Sequence, residues 1–552
     1  MPTPNSFHLA DLWEAVLPQL ADRTAIVCGD DRRSYAELEA HAEALAAWLW
    51  AQGIRPDDHV GVHLTNGCEH IEALLAVWKL RAVPININHR YQADELRHLY
   101  ADAQLRCTIV HRSFLGRVAA VAPELERLGW AVVVEDGAEA TDVDAGGGTS
   151  LRVVAYADAL TAGAEVALDD GVAALVGPRS NDDHYLIYTG GTTGLPKGVV
   201  WRHEDAFFSC IGGGDPMRLQ GPMATPGEIL ERIVDGSFVY FPVAPLMHAA
   251  GQWTAVSWLL AGGTVVLQPG SLDPVEVWRT VEREHVNVLT VVGDPVVRPL
   301  LDAWDATGPY DVSSMFSIGS GGAPLSPVLR ERLMATLPAV GVVDGFGSSE
   351  TGAQGSQRLA AGESSSGVTQ FTAYGEQTAV LDEVDLTLVA PGSDVVGRVA
   401  RRGHIPLGYF GDPEKTAQTF VEAAGSRWVL TGDMATVEDD GRITLLGRGS
   451  ACINTGGEKV YPEEVEAVLK AHPAVYDAVV VGVDDDRWGQ AVAAVISVVP
   501  GYGLSIDEVD VHVRASLAGY KVPRRLTIVP EVVRSPAGKP DHRWARSVAV
   551  DT

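Results

Sequence analysis

A chain of 552 residues is too long for one ordinary hydrophobic core, so at least two domains are expected. With 46% hydrophobic and 21% charged residues it has the composition of a folded globular protein, and its formal net charge of −30, from 72 acidic against 42 basic side chains, excludes a broad nucleic-acid-binding or anionic-membrane-binding face. Five scattered cysteines with no CxxC pair argue against a disulfide framework or zinc knuckle and for a reducing compartment.

The amino terminus lacks the basic-then-apolar pattern of a signal peptide, and no stretch reaches the roughly 18 uninterrupted apolar residues of a membrane span, so the expected localisation is cytoplasmic. Ser34 and Glu37 form an S-x-x-E box that predicts a helix start; Leu38, Ala42, Leu45 and Leu49 then share one face until about Gly53. Residues 59–63 read as a strand, 68–80 as a helix and 83–87 as a second strand, a βαβ pattern that predicts a parallel sheet covered by helices. Residues 136–174, rich in Ala, Gly and Asp, are expected to be surface loops and short strands. A helix over 274–285 and a strand over 287–292 continue the alternation, followed by a strand over 314–318 and a helix near Ser326.

Near residue 447 the pattern changes. A helix starting at Pro462, strands over 475–483 and 492–498 and a helix over 506–517 predict a small α+β unit. The expected fold class is therefore α/β. A large N-terminal region of layered α/β subdomains (1–447) is joined by a glycine-flanked hinge (448–450) to a small mobile C-terminal domain (451–552).

The strongest chemical signal is Tyr188-Thr-Gly-Gly-Thr-Thr-Gly-Leu-Pro-Lys197-Gly198. Its glycines (Gly190, Gly191, Gly194) allow backbone N–H groups to turn towards phosphate oxygens. The hydroxyls of Thr189, Thr192 and Thr193 add donors, and Lys197 adds a positive charge. It is not a Walker A loop: Lys197 is followed by Gly198 and a Val-Val-Trp stretch that reads as a strand, so the loop itself would hold the phosphates without a helix dipole.

This loop resembles the phosphate loop of the adenylate-forming superfamily, which includes acyl-CoA synthetases, beetle luciferases and nonribosomal-peptide adenylation domains. Further stations appear in the family's order through residue 539. Gly319-Ser320-Gly321-Gly322-Ala323-Pro324 is similar to the segment walling the adenine and acyl pockets. In Asp344-Gly345-Phe346-Gly347-Ser348-Ser349-Glu350, the resemblance implies an adenine-facing ring at Phe346, a phosphate-binding hydroxyl at Ser349 and a hard oxygen ligand for Mg²⁺ at Glu350. Asp433 matches the family's ribose-binding carboxylate, and the resemblance implies that Arg448 contacts the ribose region and ends the large domain. Many relatives carry an acidic hinge residue two positions after that arginine, where this chain has Ser450.

In Arg534-Ser-Pro-Ala-Gly-Lys539 the resemblance implies the C-terminal catalytic lysine, so the implied catalytic set is Lys539, Glu350, Thr192 and Lys197. His248 sits where the family often gates the acyl pocket with an aromatic or a histidine; a core histidine is the competing reading. Gly251, Trp253, Asp294, Gly319 and Ser320 are candidate acyl-pocket residues by neighbourhood. Gly456 and Gly457, in the stretch resembling the loop at the thiol tunnel, and Lys521 and Arg524 are candidate coenzyme A contacts.

The implied cofactors and co-substrates are ATP, Mg²⁺ and coenzyme A, with a small-molecule carboxylic acid as partner and a homodimer left open. Residues 188–205, 347–352 and 452–464 look like the subgroup acting on fatty, steroid side-chain or other bulky apolar acids. Two alternatives stand beside an acyl-CoA synthetase: an adenylating enzyme with a non-CoA acceptor (an amine, a small anion or a carrier protein), and a non-catalytic nucleotide-binding protein.

Overall fold

The computed structural model of the chain describes residues 4–138, 151–166, 171–189, 195–234, 236, 238–360, 363, 370–455, 458–485, 487–534 and 538–550. Among these, the largest sheet has fourteen strands. Its parallel part runs through Thr24–Cys28, Thr264–Leu267, Val239–Pro242, Val288–Val291, Ser317–Ser320 and Gly341–Ser348. Beyond Gly341–Ser348 the pairing turns antiparallel through Gly352–Leu359 and Gln370–Ala373 to Ile443–Arg448 and Ser426–Val437.

A second sheet, Val83–Asn86, His59–His63, Cys107–His111, Trp130–Val134 and Arg152–Ala155, is parallel throughout. Parallel strands need crossover helices that cover both faces. Accordingly all five residues of His59–His63 and of Cys107–His111 are buried.

The first expected helix forms as Tyr35–Ala51, with Ser34 Oγ accepting from Glu37 N (3.2 Å) and Glu37 Oε2 accepting from Ser34 N (2.8 Å). Leu38, Ala42, Leu45 and Leu49 all face the core. The helix over 68–80 forms as Cys68–Lys79 and that over 274–285 as Pro274–Arg283, capped by the Asp273 carboxylate. The strand expected at 314–318 starts later, as Ser317–Ser320, so Gly319 and Ser320 belong to the sheet rather than the turn.

Residues 136–174 include a short strand, as expected, but also a helix that was not. Part of the segment lies outside the described residues, but Arg152–Ala155 forms an edge strand and Tyr156–Ala164 a helix. Tyr156 OH donates to the buried Glu72 Oε2 at 2.6 Å, an anchor that a weak hydrophobic period does not announce.

The C-terminal part folds around its own five-stranded sheet. Along Val475–Asp485 the side chains alternate. Ala478 and Val480 pack with Val465 and Leu469 of helix Pro462–Lys470, while Val479 and Val481 pack with Ala545 and Ala549 of helix His542–Val550. A strand's two faces thus serve two helical layers. This unit rests on helix Gly293–Thr307 of the large sheet region, where Lys470 meets Asp294 and Tyr476 meets Asp302.

Candidate active site

The phosphate-loop segment is a hairpin in which His184–Thr189 pairs antiparallel with Lys197–Arg202, Thr189 opposite Lys197. Gly190, Gly191, Thr192, Thr193 and Gly194 lie outside the described residues. Strand, not helix, follows the loop, as the Val-Val-Trp stretch predicts. Lys197 Nζ donates to Asp412 Oδ2, and that ion pair holds the Asp412 carboxyl below its usual range. Trp201 Nε1 donates to the Ser349 carbonyl at 3.1 Å, tying the hairpin to the next station.

That station is the end of strand Gly341–Ser348 and the turn into Gly352–Leu359. Ser348 N donates to Thr351 Oγ1 (3.0 Å), Thr351 N to the Ser348 carbonyl (3.2 Å) and Glu350 N to Ser348 Oγ (3.3 Å), so the turn is closed by its own hydroxyls. Gly352 leaves the turn at φ +65° against the Ser209 backbone, a position without room for a Cβ.

Glu350 Oε1 accepts from Tyr409 OH at 3.1 Å. Burial and that carboxylate together push the Tyr409 phenol well above its usual range. Phe346 is half-buried and lies against Phe371, ring centroids 5.1 Å apart. Asp344 is buried, and burial pushes its carboxyl up to about 7, Arg330 opposing and Asp294 adding to the shift.

Strand Ser317–Ser320 lies beside Gly341–Ser348, with Ser320 opposite Asp344. Ser320 Oγ accepts from Gly293 N at 3.2 Å, and Gly321, Gly322 and Ala323 lead on to Ser326, which precedes helix Pro327–Thr336. Asp433 and Arg448 face each other on the neighbouring part of the sheet.

Lys539 comes to the same place from the C-terminal unit. Burial holds its ammonium below the ordinary value, with Arg448 acting in the same direction and Glu350 and Asp433 opposing. His248, preceding helix Ala249–Leu260, is within electrostatic reach of Lys539. Burial, helped by that cation, lowers its imidazole to about 4, and its Nε2 is buried with no hydrogen-bond partner in the protein. A neutral histidine with a spare ring nitrogen beside a cation suits a site that receives a carboxylate.

The donor set also suits magnesium. Glu350 offers a hard carboxylate oxygen, and no group of three His, Cys, Asp or Glu among the described residues could hold a metal alone. Mg²⁺ is commonly held by one or two carboxylates together with substrate phosphates and water.

Several sequence expectations change. Asp294 does not open onto an acyl pocket: Oδ1 accepts from Ser326 N (2.7 Å) and Oδ2 from Lys470 Nζ (3.2 Å), so both oxygens are engaged in a buried contact. Trp253 is a core residue whose Nε1 donates to Tyr185 OH at 2.9 Å, and Gly251 packs its helix turn against the Ala244 and Pro245 carbonyls. Lys521 is paired with Glu464, and Arg524 stacks over the Trp488 ring at 4.7 Å. Gly456 and Gly457 lie outside the described residues. Sequence reasoning missed Tyr409 and Asp412, whose partners lie 59 and 215 residues away. The only local signal for them is the helix start at Asp412-Pro413.

The AMP-binding enzyme family matches residues 13–410, and the AMP-binding enzyme C-terminal domain matches residues 464–539. The chain belongs to this family. This AMP-binding enzyme is 43% identical over 547 residues to a medium/long-chain-fatty-acid–CoA/3-oxocholest-4-en-26-oate–CoA ligase of Mycolicibacterium smegmatis, covering 98% of this chain and 96% of that one. It is 41% identical over 552 residues to a 3-oxocholest-4-en-26-oate–CoA ligase of Rhodococcus rhodochrous, with the same coverage. A crystal structure of the anthranilate CoA ligase AuaEII with anthranoyl-AMP shares its fold, with TM-score 0.82 and 24% identity over 100% of this chain and 98% of that one. The enzyme is an AMP-forming acid–thiol ligase, an acyl-CoA synthetase that uses ATP, Mg²⁺ and coenzyme A. No described helix is long and apolar enough to cross a membrane.

Proposed function

We propose that this acyl-CoA synthetase acts on a large apolar acid, a medium- or long-chain fatty acid or a steroid side-chain acid, and that it does so with two groups of residues brought together from its two parts. The observation that carries the adenylation step is that Gly538, the residue before Lys539, packs against Pro295 and Ala323 of the large region, with Glu350, Asp433 and Arg448 acting electrostatically on the Lys539 ammonium. The acid class is supported by the relatives' substrates, at 43% and 41% identity along nearly the whole chain.

In the first half-reaction the acid's carboxylate oxygen forms a bond to the α-phosphorus of ATP and the bond to pyrophosphate breaks, leaving the acyl-adenylate. Two anions must approach, so positive charge has to be preorganised where it develops. Lys539 bridges the carboxylate and the α-phosphate, and Lys197 with Thr192 and its neighbours in the loop steadies the departing pyrophosphate. Mg²⁺ at Glu350 would neutralise triphosphate oxygens. Asp433 accepts hydrogen bonds from the ribose hydroxyls, and the Phe346 ring offers the adenine a face. His248, neutral and without a protein partner at Nε2, orients the acid at the mouth of its pocket.

In the second half-reaction the thiolate of coenzyme A attacks the acyl carbon and AMP leaves. Lys539 has no task in that step, and an open channel is needed. A rotation of the C-terminal unit (451–552) about residues 448–450 serves both steps in turn. A reducing, cytoplasmic setting accords with five free cysteines, and a homodimer is a further expectation that sedimentation would check.

ATP–pyrophosphate exchange across a panel of short, long-chain and steroid-derived acids, repeated with coenzyme A while AMP and thioester are followed, tests the proposal. Exchange strongest with the large apolar acids, and stoichiometric thioester, is expected. Preference for a small or amino acid refutes the acid class, and AMP release without thioester refutes the acceptor.

A further inference from the structure

Helix Gly293–Thr307 presents one face to the C-terminal unit. Asp294 meets Lys470, Arg298 lies over the Tyr476 ring at 4.7 Å, and Asp302 accepts from Tyr476 OH at 3.4 Å. These positions, four residues apart, fall on a single stripe of the helix. The Lys470–Asp294 pair is buried, with both side chains only 7% exposed, and it is not isolated. Lys470 also approaches Asp477 Oδ1 at 3.7 Å, and Asp477 takes a two-pronged contact from Arg534, Nε at 2.7 Å and Nη2 at 2.8 Å.

Arg534 then donates from Nη1 to the Gly538 carbonyl at 3.0 Å. Gly538 carries φ +70° and touches Pro295 and Ala323 so closely that a Cβ would lie 3.0 Å from Pro295 Cγ. A continuous series of charged contacts thus runs from the large region, through Lys470, Asp477 and Arg534, to the residue preceding Lys539.

We propose that Lys470 is a positioning residue for adenylation: with Asp294 it forms a latch that holds the C-terminal unit in the arrangement where Lys539 reaches the reacting groups. This rests on the role given to Lys539 above. A buried ion pair contributes little net stability over apolar replacements, but leaving one partner alone is costly, so it acts as a selector between arrangements. Asp294 is committed on its other oxygen to Ser326 N, which fixes it in the large region. In the arrangement needed for thioester formation the pair separates and Lys470 reaches water. The latch therefore favours only the first half-reaction.

The test uses the full-length enzyme and its best substrate from the acid panel, and follows the two half-reactions separately. One assay is ATP–pyrophosphate exchange; the other is single-turnover conversion of purified acyl-adenylate and coenzyme A to thioester. Lys470→Met and Asp294→Asn (which keeps the acceptor for Ser326 N) are each expected to slow exchange about tenfold or more while changing thioester formation less than twofold. Lys470→Arg should restore exchange, and the double variant should lose no more than either single one, because both remove the same interaction. Thermal melting identifies variants that fail to fold; if Lys470→Met does, Asp294→Asn decides the matter.

Equal losses in the two half-reactions of a folded variant, or full exchange activity, overturn the latch. Lys539→Ala run alongside separates the two ideas. If it splits the half-reactions and Lys470→Met does not, the latch alone is wrong. If Lys539→Ala does not split them, the adenylation role of Lys539 fails and the latch fails with it.

Discussion

Asp433 and Arg448 are register partners on adjacent antiparallel strands, and Arg448 Nε stands 3.4 Å from Asp433 Oδ1. The residue that opens the proposed hinge is thus paired with the carboxylate proposed to hold the ribose. On the proposed roles, nucleotide binding and the orientation of the C-terminal unit draw on the same two side chains. Removing the carboxylate should cost hydrogen bonds to a charged acceptor, about 1.5–3 kcal/mol. Asp433→Ala is expected to lower kcat/KM for ATP roughly 10- to 100-fold by that measure, with KM for the acid little changed. Steady-state kinetics with ATP varied checks this, and an unaltered kcat/KM for ATP would remove Asp433 from the site.

Lys539 is proposed to act where charge develops during attack on the α-phosphorus, and Glu350, Asp433 and Arg448 act electrostatically on its ammonium. Lys539→Ala should slow adenylation by roughly 10²–10³. Thioester formation from preformed acyl-adenylate should proceed at close to the normal rate. Rapid-quench measurement of the two steps checks the division, and equal loss in both would falsify it.

Lys197 is held by Asp412, and both side chains are partly exposed, 45% and 31%. A pair this open to water is weak, so its competition with the triphosphate is modest. Asp412 also accepts from Lys415 N at the start of helix Pro413–Thr419, a task that asparagine performs as well. Asp412→Asn is therefore expected to lower KM for ATP a few-fold, leaving the melting temperature unchanged. A raised KM would show that Asp412 positions Lys197 productively instead of restraining it.

Four fully buried histidines set an acid limit on stability. Burial lowers His63, His70 and His203 to about 3 and places His8, stacked on His203 with centroids 3.8 Å apart, well below its usual value. In the unfolded chain they take up protons near pH 6.5; in the folded protein they do not. Below about pH 6.5 the unfolded state binds more protons, so stability falls with pH from there towards about 3. The loss is on the order of 1 kcal/mol per histidine by pH 5.5. Asp344 and Glu463, raised to about 7 chiefly by burial, work in the opposite sense, as do Glu39 and Glu69, but His89 and His248, lowered to about 4, add to the histidine side. The urea midpoint should be lower at pH 5.5 than at pH 7.5, and an equal or higher midpoint at pH 5.5 would contradict the balance.

The elements that form close to where the sequence places them rest on local chemistry. The Ser34–Glu37 box starts its helix at the expected residue, Asp273 caps Pro274–Arg283, and the buried strand His59–His63 has the expected bounds. Helix Tyr156–Ala164 was not legible, because its anchor is a hydrogen bond from Tyr156 to Glu72, 84 residues away. Trp253 and Asp294 were legible as residues near the site, but not as a core indole and a cross-domain partner.

By itself, then, the order of short motifs determined the family and the chemistry, since glycine-rich turns and their flanking hydroxyls, carboxylates and lysines carry their function in residue type and spacing. Only the tertiary structure decided which charges meet. Lys197 finds Asp412 215 residues on, Tyr409 on a three-stranded sheet finds Glu350 in a turn of the large one, and Lys470 finds Asp294 between two folding units. An ion pair depends on a distance of a few ångströms, and chain separation says nothing about that distance until the sheets are assembled.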